Sequence, residues 1–328
     1  MQVEEWSAAG HYAEVAGQRI FLRQGGSGPP LVLIHGFPAG SWIWHRIWPH
    51  LAARWTVIAP DLLGFGLSDK PAEADYTISQ QADIVDTLLT QLGLREVDVL
   101  AHAYGVSVAQ ELLARRVHDP PGADAVPPVA IRSICFLNGA VFPEANRRTF
   151  GQRLTVSAIG PLVGWVAGFP YAPFRRNMCS VFGRDTKPTE ADLKAFWTLL
   201  RHNGGERVIW KLMTYLAQRE ANRERWVGAM ERSGIPLHMI LGPDDPLSGA
   251  QGRRWRELLP RYEVAVLDSQ VGHFPQFEAP SAVASAYEQF RTETGNRGVP
   301  ERIRTSDLLL RRQPLYPAEL RGRKAGGR

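Results

Sequence analysis

The chain has only two cysteines in 328 residues, Cys135 and Cys179. Two thiols make no disulfide framework, so covalent cross-links do not carry this fold, and a reduced, cytoplasmic setting is expected. No apolar run reaches the roughly 20 residues that span a bilayer, so no membrane span is expected. The acidic, polar opening MQVEEWSAAG does not read as a secretory signal. HExxH is absent, which removes the usual zinc-hydrolase spacing, and GxxxxGK[ST] is absent, which removes a phosphate cradle. GSGPP at 26–30 is glycine-rich but precedes a strand and opens no helix, so no dinucleotide is expected. The reading is therefore of a protein with no cofactor and no metal. Gly-x-Ser-x-Gly is also missing, and with it the ordinary serine nucleophile.

The formal net charge of +5 points away from nucleic acid once it is located. Gly295–Arg328 holds nine Lys or Arg against three Asp or Glu, so the tail alone carries about +6 and the rest is near neutral. Residues 293–328, rich in Gly, Pro and Arg and without periodicity, are expected to form a basic, unfolded appendage.

What is present is a repeating alternation. HYAEVAGQRIFLRQ reads as a hairpin around Gly17. Short apolar runs follow at LVLIH 31–35, TVIAP 56–60, VDVLAH 97–102, SICFLN 133–138, HMILG 238–242 and VAVLD 264–268. Between the early runs lie amphipathic helices such as YTISQQADIVDTLLTQLG. Continuous Val/Ile/Leu strands alternating with helices predict a mostly parallel, eight-stranded α/β sheet covered on both faces. The core is assigned to residues 1–142 and 233–292. Residues 143–232 interrupt the alternation with a strand-free helical block carrying Trp165, Trp197, Trp210, Tyr215 and Trp226. Most of these aromatics are expected to pack the block against itself. Trp210 and Tyr215 are kept as candidates for lining a substrate cavity.

Four loops carry candidate chemistry, each following a strand. HGFP at 35–38 turns sharply at Gly36, so that the Phe37 N–H can face a developing negative charge. DLLGFGLSDKP at 61–71 shapes the wall of the site. AHAYG at 101–105 fits the nucleophile elbow, small-x-nucleophile-x-Gly, with Tyr104 N–H as the second oxyanion donor. The nucleophile position itself holds Ala103, whose methyl group cannot attack. Ser107 lies a turn into the helix and is not expected to substitute. GPDDP then places Asp245, or its neighbour Asp244, after a strand; Gly-x-x-Asp spacing favours Asp245 as the carboxylate that orients an imidazole. GHFP finally supplies His273 as general base.

Together, HGFP, GFGLSDKP, the elbow, GPDDP and GHFP resemble the α/β-hydrolase superfamily, and within it the branch of epoxide hydrolases and haloalkane dehalogenases. The segments HGFPAGSWIWHRIWPHL, AYGVSVAQELLAR, NGAVFPEANR, VFGRDTKPTEADLKAFW and RERWVGAM are similar to the mesoderm-specific transcript group and its bacterial relatives. The likeness spans about residues 5–290 and makes 143–232 a helical cap. In that branch an aspartate at the elbow attacks an electrophilic carbon, and the histidine activates water against the resulting ester. The resemblance thus puts Ala103 where that aspartate belongs. It also implies a small, apolar substrate with an epoxide, carbon–halogen or ester bond. Phe37 and Tyr104 replace the Asn and Trp of a typical halide cradle, which favours the epoxide-hydrolase pattern. Cap tyrosines protonate the epoxide oxygen there, and Tyr215, then Tyr171, are the candidates. As written, the chain is expected to be nearly inert. The competing readings are a small-ligand-binding protein without catalysis and a His273–Asp245 dyad enzyme with no covalent intermediate.

Overall fold

The computed structural model describes residues 1–119, 127–146, 170–248 and 250–296. Trp165 and nearly all of the basic tail lie outside them. The chain opens with a short helix α1 (Val3–Ala8), whose apolar residues Val3 and Trp6 are buried. The hairpin β1 (His11–Val15) and β2 (Gln18–Gly25) follows, turning at Ala16 and Gly17, both at positive φ. Then come β3 (Pro30–Ile34), α2 (Trp48–Ala52), β4 (Thr56–Pro60), α3 (Ile78–Gln91), β5 (Glu96–His102), α4 (Tyr104–His118) and β6 (Ala130–Leu137). The strands stand in the order β1-β2-β4-β3-β5-β6-β7-β8. Among the described strands β2 alone runs against the rest, antiparallel to β1 and to β4, and every other pair is parallel.

Between β6 and β7 the described residues form helices only. These are α5 (Tyr171–Val181), α6 (Glu190–Arg201), α7 (Ile209–Leu212), α8 (Tyr215–Ala221) and α9 (Arg223–Arg232), with a 3-10 turn at His202–Arg207. Thr189 caps α6 reciprocally with Asp192, and Arg46 of the core pairs with that same Asp192 at 2.9 Å. The sheet resumes with β7 (Leu237–Leu241) and, after α10 (Gln251–Leu258), β8 (Val264–Val266); α11 (Pro275–Glu278) and α12 (Pro280–Asn296) close the chain. The last strand is shorter than the apolar run VAVLD predicts, because it is an edge strand with one neighbour and Val266 is solvent-exposed. The last helix runs to Asn296, a turn past the expected core boundary at 292.

Every apolar run from β3 to β7 is buried because the sheet has helices on both faces. Helix α4 is the extreme case, with all eleven residues from Tyr104 to Ala114 buried. The sheet covers one side of it and α9 the other. Its polar side chains must therefore find partners inside. Ser107 accepts from Arg219, Gln110 donates to the Val141 carbonyl, and Glu111 accepts from the Trp226 indole at 2.7 Å. Among the described residues no helix is long and apolar enough to cross a membrane.

His238 on β7 stacks on Phe290 of α12, with ring centroids 4.8 Å apart. Burial presses its pKa down to about 4. The unfolded chain, with a histidine near 6.5, therefore takes up a proton that the folded chain refuses. Stability falls as pH drops from about 6.5 towards 4, by up to about 1.4 kcal/mol per pH unit from this group. His238→Phe removes that contribution. Urea unfolding at pH 7.5, 6 and 5 is expected to show the variant gaining on the parent at each step down. An unchanged difference would contradict the assignment.

Candidate active site

The parallel strands end on one edge of the sheet, and their following loops meet there. At the end of β5 the chain turns through Ala103, at φ +48° and ψ −103°, directly into α4. That conformation is strained for a residue with a Cβ, and it is held because the surroundings leave no alternative. A Cβ on Gly105 would stand 2.3 Å from the Ile34 carbonyl oxygen, and one on Gly36 would stand 2.7 Å from the Ala103 Cβ. Only glycine lets the HGFP turn lie against the elbow this closely. Tyr104 is the first residue of α4, so its N–H has no partner within the helix. The ring of Phe37 packs on Phe65, and Phe65 in turn on Tyr104.

His35 is fully buried and takes one tautomer: its Nε2 accepts from the Leu62 N–H at 2.9 Å, which leaves Nδ1–H to donate to the Gly36 carbonyl at 3.0 Å. It ties the HGFP turn to the next loop. That loop, DLLGFGLSDKP, is wound around the buried Asp61 carboxylate, which accepts from the backbone N–H groups of Ser41 and Leu67.

The structure brings Asp245 and His273 together, with Oδ2 2.8 Å from Nδ1. Burial works to raise the Asp245 pKa. The adjacent imidazole and hydrogen bonds from His273, the Ser248 hydroxyl and the Leu247 N–H outweigh it and hold the carboxyl below its ordinary range. An ionised carboxylate on Nδ1–H leaves Nε2 as the proton-accepting nitrogen. Asp244 points elsewhere: its carboxylate accepts from the Arg184 N–H of the cap at 2.9 Å.

The His273 backbone is fixed on both sides. Its N–H donates to Val181 O of the cap, and its carbonyl accepts from His102 Nε2 at 2.8 Å. His102 immediately precedes Ala103. Burial, then the neighbouring His273 ring, presses the His102 pKa down to about 3, so it acts as a neutral donor. Glu278 collects three backbone N–H groups, from Gly183, Gly272 and Phe274, at 2.8–2.9 Å. One carboxylate thus gathers the cap and the histidine loop.

Asn138, just past β6 and fully buried, joins the remaining loops. Its Nδ2 donates to Gly272 O at 2.6 Å, its Oδ1 accepts from Gly242 N–H at 2.8 Å, and its backbone carbonyl accepts from Ala103 N–H at 3.2 Å. The histidine loop, the acid loop and the elbow all bond to this one residue. The sequence signal was a polar residue closing the buried run SICFL, but nothing in the pattern said what it would bind. His102 and Arg219 were likewise not foreseen.

The cap candidates separate. Tyr215 is buried, with its ring 4.9 Å from that of Tyr104, and the Arg219 guanidinium lies over it, 4.7 Å from the ring centre. Tyr171 is placed away from this cluster: its hydroxyl donates to Glu190 at 2.5 Å, and its ring packs on Phe174 and Trp197. Trp210 is 37% exposed beside Lys211. Trp226 is buried against α4. Phe182 and Phe196 of the cap pack on Phe274, next to His273. Aromatic side chains therefore surround the corner from four loops and the cap. Among the described residues no group of three His, Cys, Asp or Glu side chains is placed to hold a metal.

Asn138→Ala leaves the Gly272 carbonyl and the Gly242 N–H buried without partners, at about 1–3 kcal/mol each. Urea unfolding at pH 7 is expected to show a loss of roughly 2–6 kcal/mol. A loss under about 1 kcal/mol would mean that the loops hold together without the amide.

Comparison with known proteins agrees with this geometry. Residues 29–280 match the model of the alpha/beta hydrolase fold family. The mesoderm-specific transcript protein of Mus musculus is 40% identical over 299 residues, covering 88% of this chain and 87% of that protein. Haloalkane dehalogenase DbeA from Bradyrhizobium elkani USDA94 superposes with a TM-score of 0.72 at 21% identity, covering 88% of this chain and 99% of that one. Epoxide hydrolase CorEH superposes with a TM-score of 0.66 at 22% identity, over 87% and 98%. The strand order, the elbow and these likenesses have one reading: the chain belongs to the α/β-hydrolase fold family.

Proposed function

We propose that this chain is a hydrolase scaffold of the aspartyl-ester type whose nucleophile position is occupied by Ala103. The observation that carries the reading is the strained backbone at Ala103, kept beside a formed His273–Asp245 pair. A corner at φ +48° costs of order 1–3 kcal/mol and serves to present a side chain. Here that side chain has no reactive atom.

With a carboxylate at 103, the residues would work as follows. Phe37 N–H and Tyr104 N–H hold one carboxylate oxygen, and the other attacks an electrophilic carbon. His273 Nε2, oriented by Asp245 on Nδ1, then deprotonates a water that adds to the ester. Residues 143–232 act as the cap over this corner. Tyr215, whose ring packs on that of Tyr104, would supply the hydroxyl that protonates a leaving oxygen. The aromatic surroundings, Phe37, Phe65, Tyr104 and Tyr215, suit a small apolar epoxide, haloalkane or ester. The two free cysteines fit a reduced, cytoplasmic setting.

Loss of a triad nucleophile costs on the order of a million-fold in turnover, so the chain as it stands is expected to be nearly inert. Ala103→Asp is expected to recover hydrolysis of at least one of styrene oxide, 1-chlorobutane and p-nitrophenyl acetate, by about three to six orders of magnitude. A correctly folded variant that turns over none of the three would sink the proposal. Adding His273→Gln to Ala103→Asp is expected to stop the reaction at the ester, seen as a substrate-sized mass increase of the intact protein.

The formed imidazole–carboxylate pair also favours a second reading, in which the dyad deprotonates substrate or water without a covalent intermediate. Under it, the unaltered chain has an activity that His273→Ala abolishes.

A further inference from the structure

We infer that Arg219, on cap helix α8, is a positioning residue that strengthens the Tyr104 N–H through the peptide bond it shares with Ala103. The inference rests on the aspartyl-ester reading above for its kinetic form.

Arg219 is 4% exposed. Its Nε donates to Ser107 Oγ at 2.9 Å, and one terminal nitrogen donates to the Ala103 carbonyl oxygen at 3.3 Å. Its guanidinium lies 4.7 Å from the Tyr215 ring centre, and that ring packs on Tyr104. The cap therefore reaches past its own tyrosine to the backbone of the elbow. The Ala103 carbonyl and the Tyr104 N–H belong to one planar amide. A cation on the carbonyl oxygen draws electron density through the conjugated unit, and the N–H at its far end becomes a stronger donor. Ser107, one turn along α4, fixes the guanidinium so that it bears on this carbonyl. The site's backbone donor is thus tuned by a residue that only cap seating delivers.

The consequence has opposite signs in the two half-reactions with a carboxylate at 103. In the first, a carboxylate oxygen attacks an epoxide carbon, that carbon–oxygen bond breaks, and the ring oxygen takes a proton. The non-attacking oxygen on the Tyr104 N–H loses charge in this step, so a strong donor does not help it. In the second, His273 Nε2 takes a proton from water, and the water oxygen adds to the ester carbonyl carbon. The carbonyl electron pair moves onto the oxygen facing Phe37 and Tyr104. Collapse expels the diol oxygen, which takes the proton back from His273; the carboxylic acid so formed then gives up the second proton of the water, which replaces the one the ring oxygen took, and the carboxylate is restored. Here the oxyanion gains charge, so a strong donor accelerates the step.

The experiment compares Ala103→Asp with the double variants Ala103→Asp/Arg219→Met and Ala103→Asp/Arg219→Lys, using styrene oxide in single-turnover quench and intact-mass detection. Removing one oxyanion donor outright costs about 10²–10³-fold, so weakening one is expected to slow ester hydrolysis by about tenfold. Ester formation should stay within about twofold or quicken, and the adduct accumulates. The Lys variant, which keeps a cation, should fall between. Equal slowing of both steps is the signature of a merely structural residue and overturns the inference.

If Ala103→Asp forms no adduct at all, the aspartyl-ester reading fails, and the Tyr104 amide of the otherwise unaltered chain decides. With 15N-tyrosine labelling and Tyr104→Phe for assignment, Arg219→Met, or Arg219→Lys should that variant not fold, is expected to move the Tyr104 amide proton upfield. An unmoved resonance overturns the inference.

Discussion

The amide of Asn138 is the constraint on which the site depends. It sits at the end of a central strand, where side chains from the sheet and loops from both sides compete for the same small volume. Its Nδ2 donates to one loop and its Oδ1 accepts from another, at Gly272 and Gly242, which are thirty residues apart in the chain. A buried amide with both ends engaged fixes distance and orientation together, because neither partner has water to turn to. The carboxylate of Asp245 and the ring of His273 inherit their mutual placement from that arrangement.

The same economy appears at the histidine itself. Its backbone is bonded to the cap through Val181 and to the elbow through His102. Its side chain is bonded to the acid loop. Three distant parts of the chain converge on one residue, and Glu278 bonds one of them again, at Gly183, together with the histidine's own loop at Gly272 and Phe274. These bonds fix the imidazole through its own backbone and side chain together. The Ala103 methyl group makes none of them; the backbone of that residue does the joining, its N–H to Asn138 and its carbonyl to Arg219.

The helices between β6 and β7 are bound to the rest of the fold by more than apolar packing. Arg46 reaches Asp192, Asp244 takes the Arg184 N–H, Lys211 donates to the carbonyls of Ala72 and Ala74, and Arg225 and Trp226 close on Glu111. Arg219 adds a buried bond from the same helices to the Ala103 carbonyl.

The sequence by itself determined the layers and the order of the chemistry. Apolar runs of four to six residues alternating with amphipathic helices bury both faces as interior strands, so the sheet followed from LVLIH, TVIAP, VDVLAH, SICFL and HMIL. Glycines 36 and 105 marked close approaches because no other residue fits there, and the tandem of Asp245 and His273 followed from their positions after strands. Tertiary structure decided what such local rules do not reach. It chose Asp245 over Asp244 by turning one carboxylate to the imidazole and the other to Arg184. It set Tyr215 against the elbow and Tyr171 on Glu190, though both are tyrosines on cap helices. It buried Arg219, a cation that no sequence pattern singled out, against a backbone carbonyl more than a hundred residues away. Strand and turn preferences are written in neighbouring residues; the partner of a buried polar group is settled only when distant segments are packed together.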